Sequence, residues 1–213
     1  PPRAALPLRR LRQPASPAVL ATPPGDRRPL GNPLAPDAPI GTLNLEASVG
    51  TLVHRCLELI VSQGLAAWPL AGLAAREAGW QRWLQAKGHD AEASAHGARE
   101  VLQALQATLG SETGQWLLSA PAGGAEEAWS SVDAEGATVN HVIDRIFVAD
   151  GVRWIIDYKT VRVPVDELPA RAEGFRPQLA RYARLFAGDP LPLKVAIFFP
   201  LQAQLIELIG SVY

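Results

Sequence analysis

The sequence predicts an α/β fold, a central sheet of about five strands flanked by helices. Three observations lead there. Apolar residues recur at helical spacing over 46–64, and after Gly123-Gly124 the pattern changes to short β-rich runs. Between two of those runs stands Asp150-Gly151, a strong hairpin signal. A further helical stretch followed by two apolar runs completes a layered helix–sheet arrangement.

The elements follow in order. Val49, Leu52, Val53, Cys56, Leu57, Ile60 and Val61 form one apolar stripe, and Gly64 closes that helix. A second helical region is expected from Leu70 to Lys87, a third from Ala91 to Leu109, and a short one around Trp116 and Leu117. Trp80 and Trp83 stand three apart, a spacing that favours core packing over a base-stacking platform. Segments 126–132, 138–149 and 152–160 read as consecutive antiparallel strands, with turns at Glu135-Gly136 and Asp150-Gly151. A helix over Phe175–Phe186 stops at Gly188-Asp189-Pro190, and Lys194–Pro200 and Gln204–Ile209 supply two last strands.

Residues 1–39 differ from the rest. They hold 11 of the 19 prolines, and six arginines against two acids. Proline at that density stops helix and sheet from propagating, so residues 1–44 are expected to be an irregular linker or strap. No secretory signal is visible, and no apolar run approaches the ~20 residues that cross a bilayer. A single cysteine, Cys56, precludes an internal disulfide framework and a four-cysteine iron–sulfur cluster within this chain. The expectation is a cytoplasmic protein with no membrane partner. A net charge of −1 gives no general affinity for nucleic acid, so any DNA contact must come from local charge. The chain begins without Met and contains none, and we read it as the C-terminal part of a longer polypeptide.

The chemistry concentrates around the predicted hairpin. Asp157 and Lys159 are two apart and leave one face of their strand, while Tyr158 leaves the other. The apolar Trp154-Ile155-Ile156 before them marks a central strand, where a charge must be paired, hydrated or bound to a metal. Asp144 and Asp157 are equidistant from Asp150-Gly151, which makes them cross-strand neighbours. Two such carboxylates repel, and a hard divalent cation removes the conflict. His54 and Glu58, four apart on the first helix, lie at the edge of its apolar stripe. They form either a surface pair or groups facing a cleft. Gln178 and Tyr182 are again four apart, accompanied by Arg176, Arg181 and Arg184.

These pieces resemble the RecB-family nuclease domain, within the PD-(D/E)xK nuclease superfamily. The family's Gly-x-x-x-His-x-x-Leu-Glu motif stands here as Gly50, His54, Leu57 and Glu58. Its Ile-Asp-Arg strand motif is Ile143-Asp144-Arg145, its Asp-Tyr-Lys-Thr motif is Asp157-Tyr158-Lys159-Thr160, and its Gln-x-x-x-Tyr motif is Gln178 and Tyr182. Four motifs in order make a specific signal. One position departs: His141 stands where the family usually has Gly, so it either crowds the DNA path or points away.

The resemblance implies a restriction-endonuclease-like mixed sheet over 45–213, with 70–118 a helical insertion between the first helix and the sheet. It implies that His54, Asp144, Asp157 and the Tyr158 backbone carbonyl hold Mg²⁺ or Mn²⁺, with no iron–sulfur cluster. Lys159 would orient or activate water, and Glu58 would support His54 or a water. Gln178, Tyr182, Arg145 and Arg181 would contact DNA, single-stranded or a duplex end. The C-terminal stretch Leu191–Pro200 resembles AddA-type or RecB-type helicase–nucleases, which act in double-strand-break repair and recombination as exodeoxyribonuclease V-like enzymes. That context implies a helicase region in the same polypeptide and an AddB-like or RecC-like second subunit. The alternative is a non-catalytic domain of this fold acting as a DNA-end clamp or assembly surface. A small-molecule phosphohydrolase finds no support, because no Gly-x-x-x-x-Gly-Lys-Ser/Thr loop is present.

Overall fold

A computed structural model describes residues 44–120, 122–132 and 138–208, with side chains for 44–120 and 142–208. The Pro-rich segment, the Glu135-Gly136 turn and the His141 side chain lie outside the described parts.

Helix α1 (Leu45–Gln63) starts where the Asn44 side chain accepts a hydrogen bond from the Ala47 N–H, and ends at Gly64 with φ 84°. Its stripe of Val49, Leu52, Val53, Cys56, Leu57 and Ile60 is buried. At about 1.5–3 kcal/mol for each large apolar side chain removed from water, this stripe fixes the helix against its neighbours. The region expected to be helical from Leu70 onward is helical only later. Single 3₁₀ turns at Leu70–Gly72 and Ala74–Arg76 precede α2 (Glu77–Ala86). Pro69 and Gly72 explain the delay, since the first lacks an N–H and the second favours no regular helix. Helices α3 (Ala91–Gly110) and α4 (Glu112–Ser119) are capped by the side chains of Asp90 and Ser111.

Strands β2 (Thr138–Ala149), β3 (Val152–Tyr158), β4 (Leu193–Phe199) and β5 (Gln204–Glu207) form a four-stranded mixed sheet. Strand β1 (Ala122–Val132) runs antiparallel along the outer edge of β2, so the full order is β1-β2-β3-β4-β5. Only β3 and β4 are parallel. The crossover between them carries α5 (Leu168–Glu173) and α6 (Arg176–Arg184). Helix α5 escapes a sequence reading because Pro164 and Pro169 look like breakers. A proline in the first turn is tolerated, since its missing N–H would have had no helical partner.

Two apolar cores cover the two faces of the sheet. Helices α1, α3 and α4 pack on Phe147, Ile156, Tyr158 and Phe198, while α5 and α6 pack on Ile146, Ile155, Val195 and Ile197. Trp80 lies in the first core, as its spacing suggested. The β2–β3 turn has φ 51° at Asp150 and 74° at Gly151, the two positive values of a type I′ hairpin. That turn sets the register Arg145↔Ile156, the last pair of the ladder, and aligns Asp144 with Asp157 just beyond it. No helix among the described residues is long and apolar enough to cross a membrane.

Candidate active site

The carboxyl end of β3 is where β2 and β3 part, and four elements deliver side chains to it. Asp144 comes from β2, Asp157 from β3, His54 from α1 and Gln178 from α6. Lys159 follows one residue beyond β3, its N–H bound to the Phe198 carbonyl at 2.9 Å. The strand thus ends one residue before Lys159, short of the expected position 160.

Asp144 accepts the Tyr158 N–H at Oδ2, 2.7 Å away, and its Oδ1 lies 3.4 Å from His54 Nδ1. In a strand the N–H and C=O of a residue point to the same edge, so the Tyr158 carbonyl also faces β2. The neighbouring Asp157 is 2% exposed. Its Oδ2 takes no conventional hydrogen bond but lies 2.7 Å from Lys159 Nζ, while Oδ1 accepts Gln178 Nε2 at 2.7 Å. The same amide nitrogen reaches the Tyr182 hydroxyl at 2.8 Å. Lys159 Nζ also lies over the Phe175 ring, 4.8 Å from its centre.

Burial, then the charge of Asp144, pushes the Asp157 carboxyl up to about 6, with Lys159 and His54 opposing. Asp144 goes the other way. Burial would raise it, but the His54 imidazole, the Tyr158 N–H and Lys159 together hold it below its ordinary value. Burial likewise works against the His54 imidazolium, and Asp144 outweighs it, so His54 is raised. One acid is kept ionised and its neighbour is poised to take a proton, an arrangement concentrated at functional sites. Cys56 is different: burial raises its thiol to about 11, as for an inert core cysteine.

Among the described residues no three His, Cys, Asp or Glu side chains form a ready-made cage. Each carboxylate is instead engaged by a protein donor or cation. The donor set nevertheless fits a hard divalent ion: two repelling carboxylates, one with an oxygen lacking a conventional hydrogen bond, beside one imidazole.

The other expected site residues fall in different places. Glu58 is half-buried one turn beyond His54 and makes no side-chain hydrogen bond or ion pair among the described residues. Arg181 is exposed on α6. Arg145 requires a correction: it is fully buried, not DNA-facing. It donates from Nε to the Leu117 carbonyl at 3.2 Å and from Nη2 to the Ala120 carbonyl at 2.6 Å. Alternation along β2 carries the signal, since Arg145 shares a face with Phe147, which is fully buried. Phe175, beneath Lys159, went unnoticed because an aromatic beside a helix start reads as ordinary core.

Gly50 explains the first residue of its motif. A Cβ there would stand 2.8 Å from Thr160 Oγ1, so glycine lets α1 close on the segment that carries Lys159. Gly50→Ala gains about 1 kcal/mol of helix propensity, which offsets much of the cost of displacing Thr160. We expect a thermal midpoint within a few degrees of the parent and a loss of any activity that depends on Lys159. Adding Thr160→Ala should restore that activity, and a double variant as impaired as Gly50→Ala would exclude the steric account.

A model of the PD-(D/E)XK nuclease superfamily matches residues 32–208. No curated protein matches the chain.

Proposed function

The chain belongs to the PD-(D/E)XK nuclease superfamily, and from that membership we propose that it hydrolyses DNA phosphodiester bonds with a divalent cation, Mg²⁺ or Mn²⁺. We further propose that residues 45–213 are the nuclease domain of an exodeoxyribonuclease V-like helicase–nuclease, acting in the cytoplasm in double-strand-break repair and recombination. In that reading 70–118 is a helical insertion and 1–44 a Pro-rich linker or strap. The partners are a helicase region of the same polypeptide and an AddB-like or RecC-like subunit. The observation that carries the nuclease reading is the meeting of half-buried Asp144 and buried Asp157 where β2 and β3 part, with the Lys159 ammonium 2.7 Å from Asp157.

His54, Asp144, Asp157 and the Tyr158 carbonyl are the groups that would hold the ion. A bound divalent cation supplies positive charge to the phosphate and acidifies the attacking water. The side chains do the rest. Lys159, on the rim of the acid pair and 23% exposed, turns its ammonium toward the incoming phosphate and stabilises charge developing there. Gln178 fixes the orientation of Asp157, and Tyr182 fixes Gln178. Glu58 supports His54 or a nearby water, and Arg181 meets the strand's backbone.

Single-stranded DNA incubated with Mg²⁺ or Mn²⁺ should be degraded, and Lys159→Ala should reduce the rate by roughly 10³-fold with the fold retained. Calorimetric titration with Mn²⁺ should show uptake that Asp157→Ala abolishes. A scaffold domain would take up no ion and cut nothing, and that outcome, or full activity in Lys159→Ala, refutes the reading.

A further inference from the structure

Beside the acids lies a second feature that the proposed chemistry does not use. A cleft of about 230 Å³ opens between α1, α3, the segment after Lys159, and α5. Its apolar wall is formed by Val49, Val53, Ala104 and Leu201. Two cations enter it, Arg162 and Arg171, and their situations differ. Arg162 is neutralised by an ion pair with Glu100, whose Oε1 also lies 2.7 Å from His96 Nε2. Arg171 has no carboxylate partner among the described residues. Its Nε is buried without a hydrogen-bond acceptor, and its guanidinium carbon sits 5.5 Å from the centre of the Phe175 ring.

A guanidinium that lines a cleft with no carboxylate paired to it among the described residues keeps its charge and its outer N–H donors for an anion. Phe175 sets the location, because the same ring carries Lys159 Nζ at 4.8 Å. The catalytic ammonium and the Arg171 guanidinium therefore both stand against one aromatic side chain. Thr160, directly after Lys159, lines the cleft, so the cavity adjoins the reacting centre. Glu46, also in the lining, is exposed and makes no ion pair with Arg171.

We propose that this cleft receives the nucleotide next to the scissile phosphate, its phosphate on Arg171 and its base or sugar against the apolar wall. The proposal rests on the nuclease reading above and deepens it. Arginine suits the task because its planar donors match phosphate oxygens. The volume admits one nucleoside-sized group, so the cleft sets how a strand is held rather than which sequence is cut.

The test uses the full chain and a single-stranded oligonucleotide. Arg171→Ala should raise KM about tenfold while kcat stays within roughly twofold, as expected for a lost charged hydrogen bond to bound substrate. The slope of log affinity against log salt should shrink by about 0.7, one single-strand phosphate contact. Val163→Trp, which obstructs the cleft from its lining and leaves the Arg171 charge in place, should raise KM as well. Arg82→Ala, an equal charge loss on the exposed side of α2, should change neither. Deoxyadenosine monophosphate should compete only weakly, and competition tighter than the oligonucleotide would assign the cleft to free nucleotide and overturn the proposal. Unchanged KM and salt slope in both cleft variants would also overturn it while leaving the nuclease reading standing. Should the parent chain cut nothing, oligonucleotide affinity by fluorescence anisotropy still decides the cleft separately, weaker binding by Arg171→Ala supporting it and equal binding refuting it.

Discussion

Asp157→Asn is expected to abolish DNA cleavage and, in chelator, to make the protein more stable than its parent at pH 8. The two effects share a cause. The Asp157 carboxyl sits at about 6 in the folded chain against an ordinary 3.8, so the native state binds the proton more tightly than the unfolded state does. Stability therefore falls as pH rises from about 4 to about 6, and above both values the folded protein carries an unfavourable buried charge. The shift amounts to about 3 kcal/mol at most. Asparagine keeps the shape and the acceptor for Gln178 but carries no charge, and Lys159 is exposed enough to hydrate when its counter-ion goes. A net gain of about 1–2 kcal/mol remains, or roughly 3–6 °C in a domain of this size. Scanning calorimetry in EDTA should find that gain at pH 8 and a smaller one at pH 5. Asp144→Asn should do the opposite, because His54 and the Tyr158 N–H favour the ionised form of that acid. Saturating Mn²⁺ should stabilise only the parent, by about 2.7 kcal/mol at a hundredfold excess over Kd, and so reverse the order. Asp157→Asn less stable than the parent at pH 8 without metal would sink the account.

The contrast between the two acids shows where the sequence was legible. The equal spacing of Asp144 and Asp157 from Asp150-Gly151 was readable because a two-residue type I′ turn admits one register, and the ladder follows it. The stripe on α1 was readable for a similar reason, since helical periodicity directly encodes a buried face. What those patterns lacked was the identity of each group's partner. Gln178 and Tyr182 form an evident i,i+4 pair, but whether they face a DNA strand or a protein carboxylate depends on how α6 lies across β3. The answer, a 2.7 Å hydrogen bond to Asp157, is a tertiary fact. The opposite signs of the two carboxyl shifts are equally tertiary, because they arise from a helix nitrogen and a backbone N–H that meet only after folding. Arg145 was misassigned for a different reason. Its motif position suggested a role beside Asp144, whereas adjacent residues in a strand point to opposite faces.

That reassignment leads to the second large effect. Arg145→Met should destabilise the protein by about 3–5 kcal/mol, a large part of the stability of an ordinary domain. Methionine keeps much of the volume and removes the charge and the donors, so little of the loss comes from a cavity. The Leu117 and Ala120 carbonyls lie at the C-terminal end of α4, where no helical N–H reaches them and the helix dipole favours a cation. Without the guanidinium both carbonyls lose a buried donor, and the contact with the Phe147 ring, 5.0 Å from the guanidinium carbon, goes with it. Because α4 docks on the sheet through this contact, the loosening should appear as faster amide hydrogen exchange over 112–120 before the chain unfolds globally. A DNA-contacting arginine behaves differently: its replacement weakens oligonucleotide binding, lowers the single-strand salt slope by about 0.7 and leaves the thermal midpoint alone. Chemical denaturation and anisotropy on the same variant separate the two. A midpoint equal to the parent's, with weakened DNA binding, would return Arg145 to the nucleic-acid surface; a collapsed midpoint with parental affinity in the remaining folded fraction fixes it as the clamp between α4 and β2.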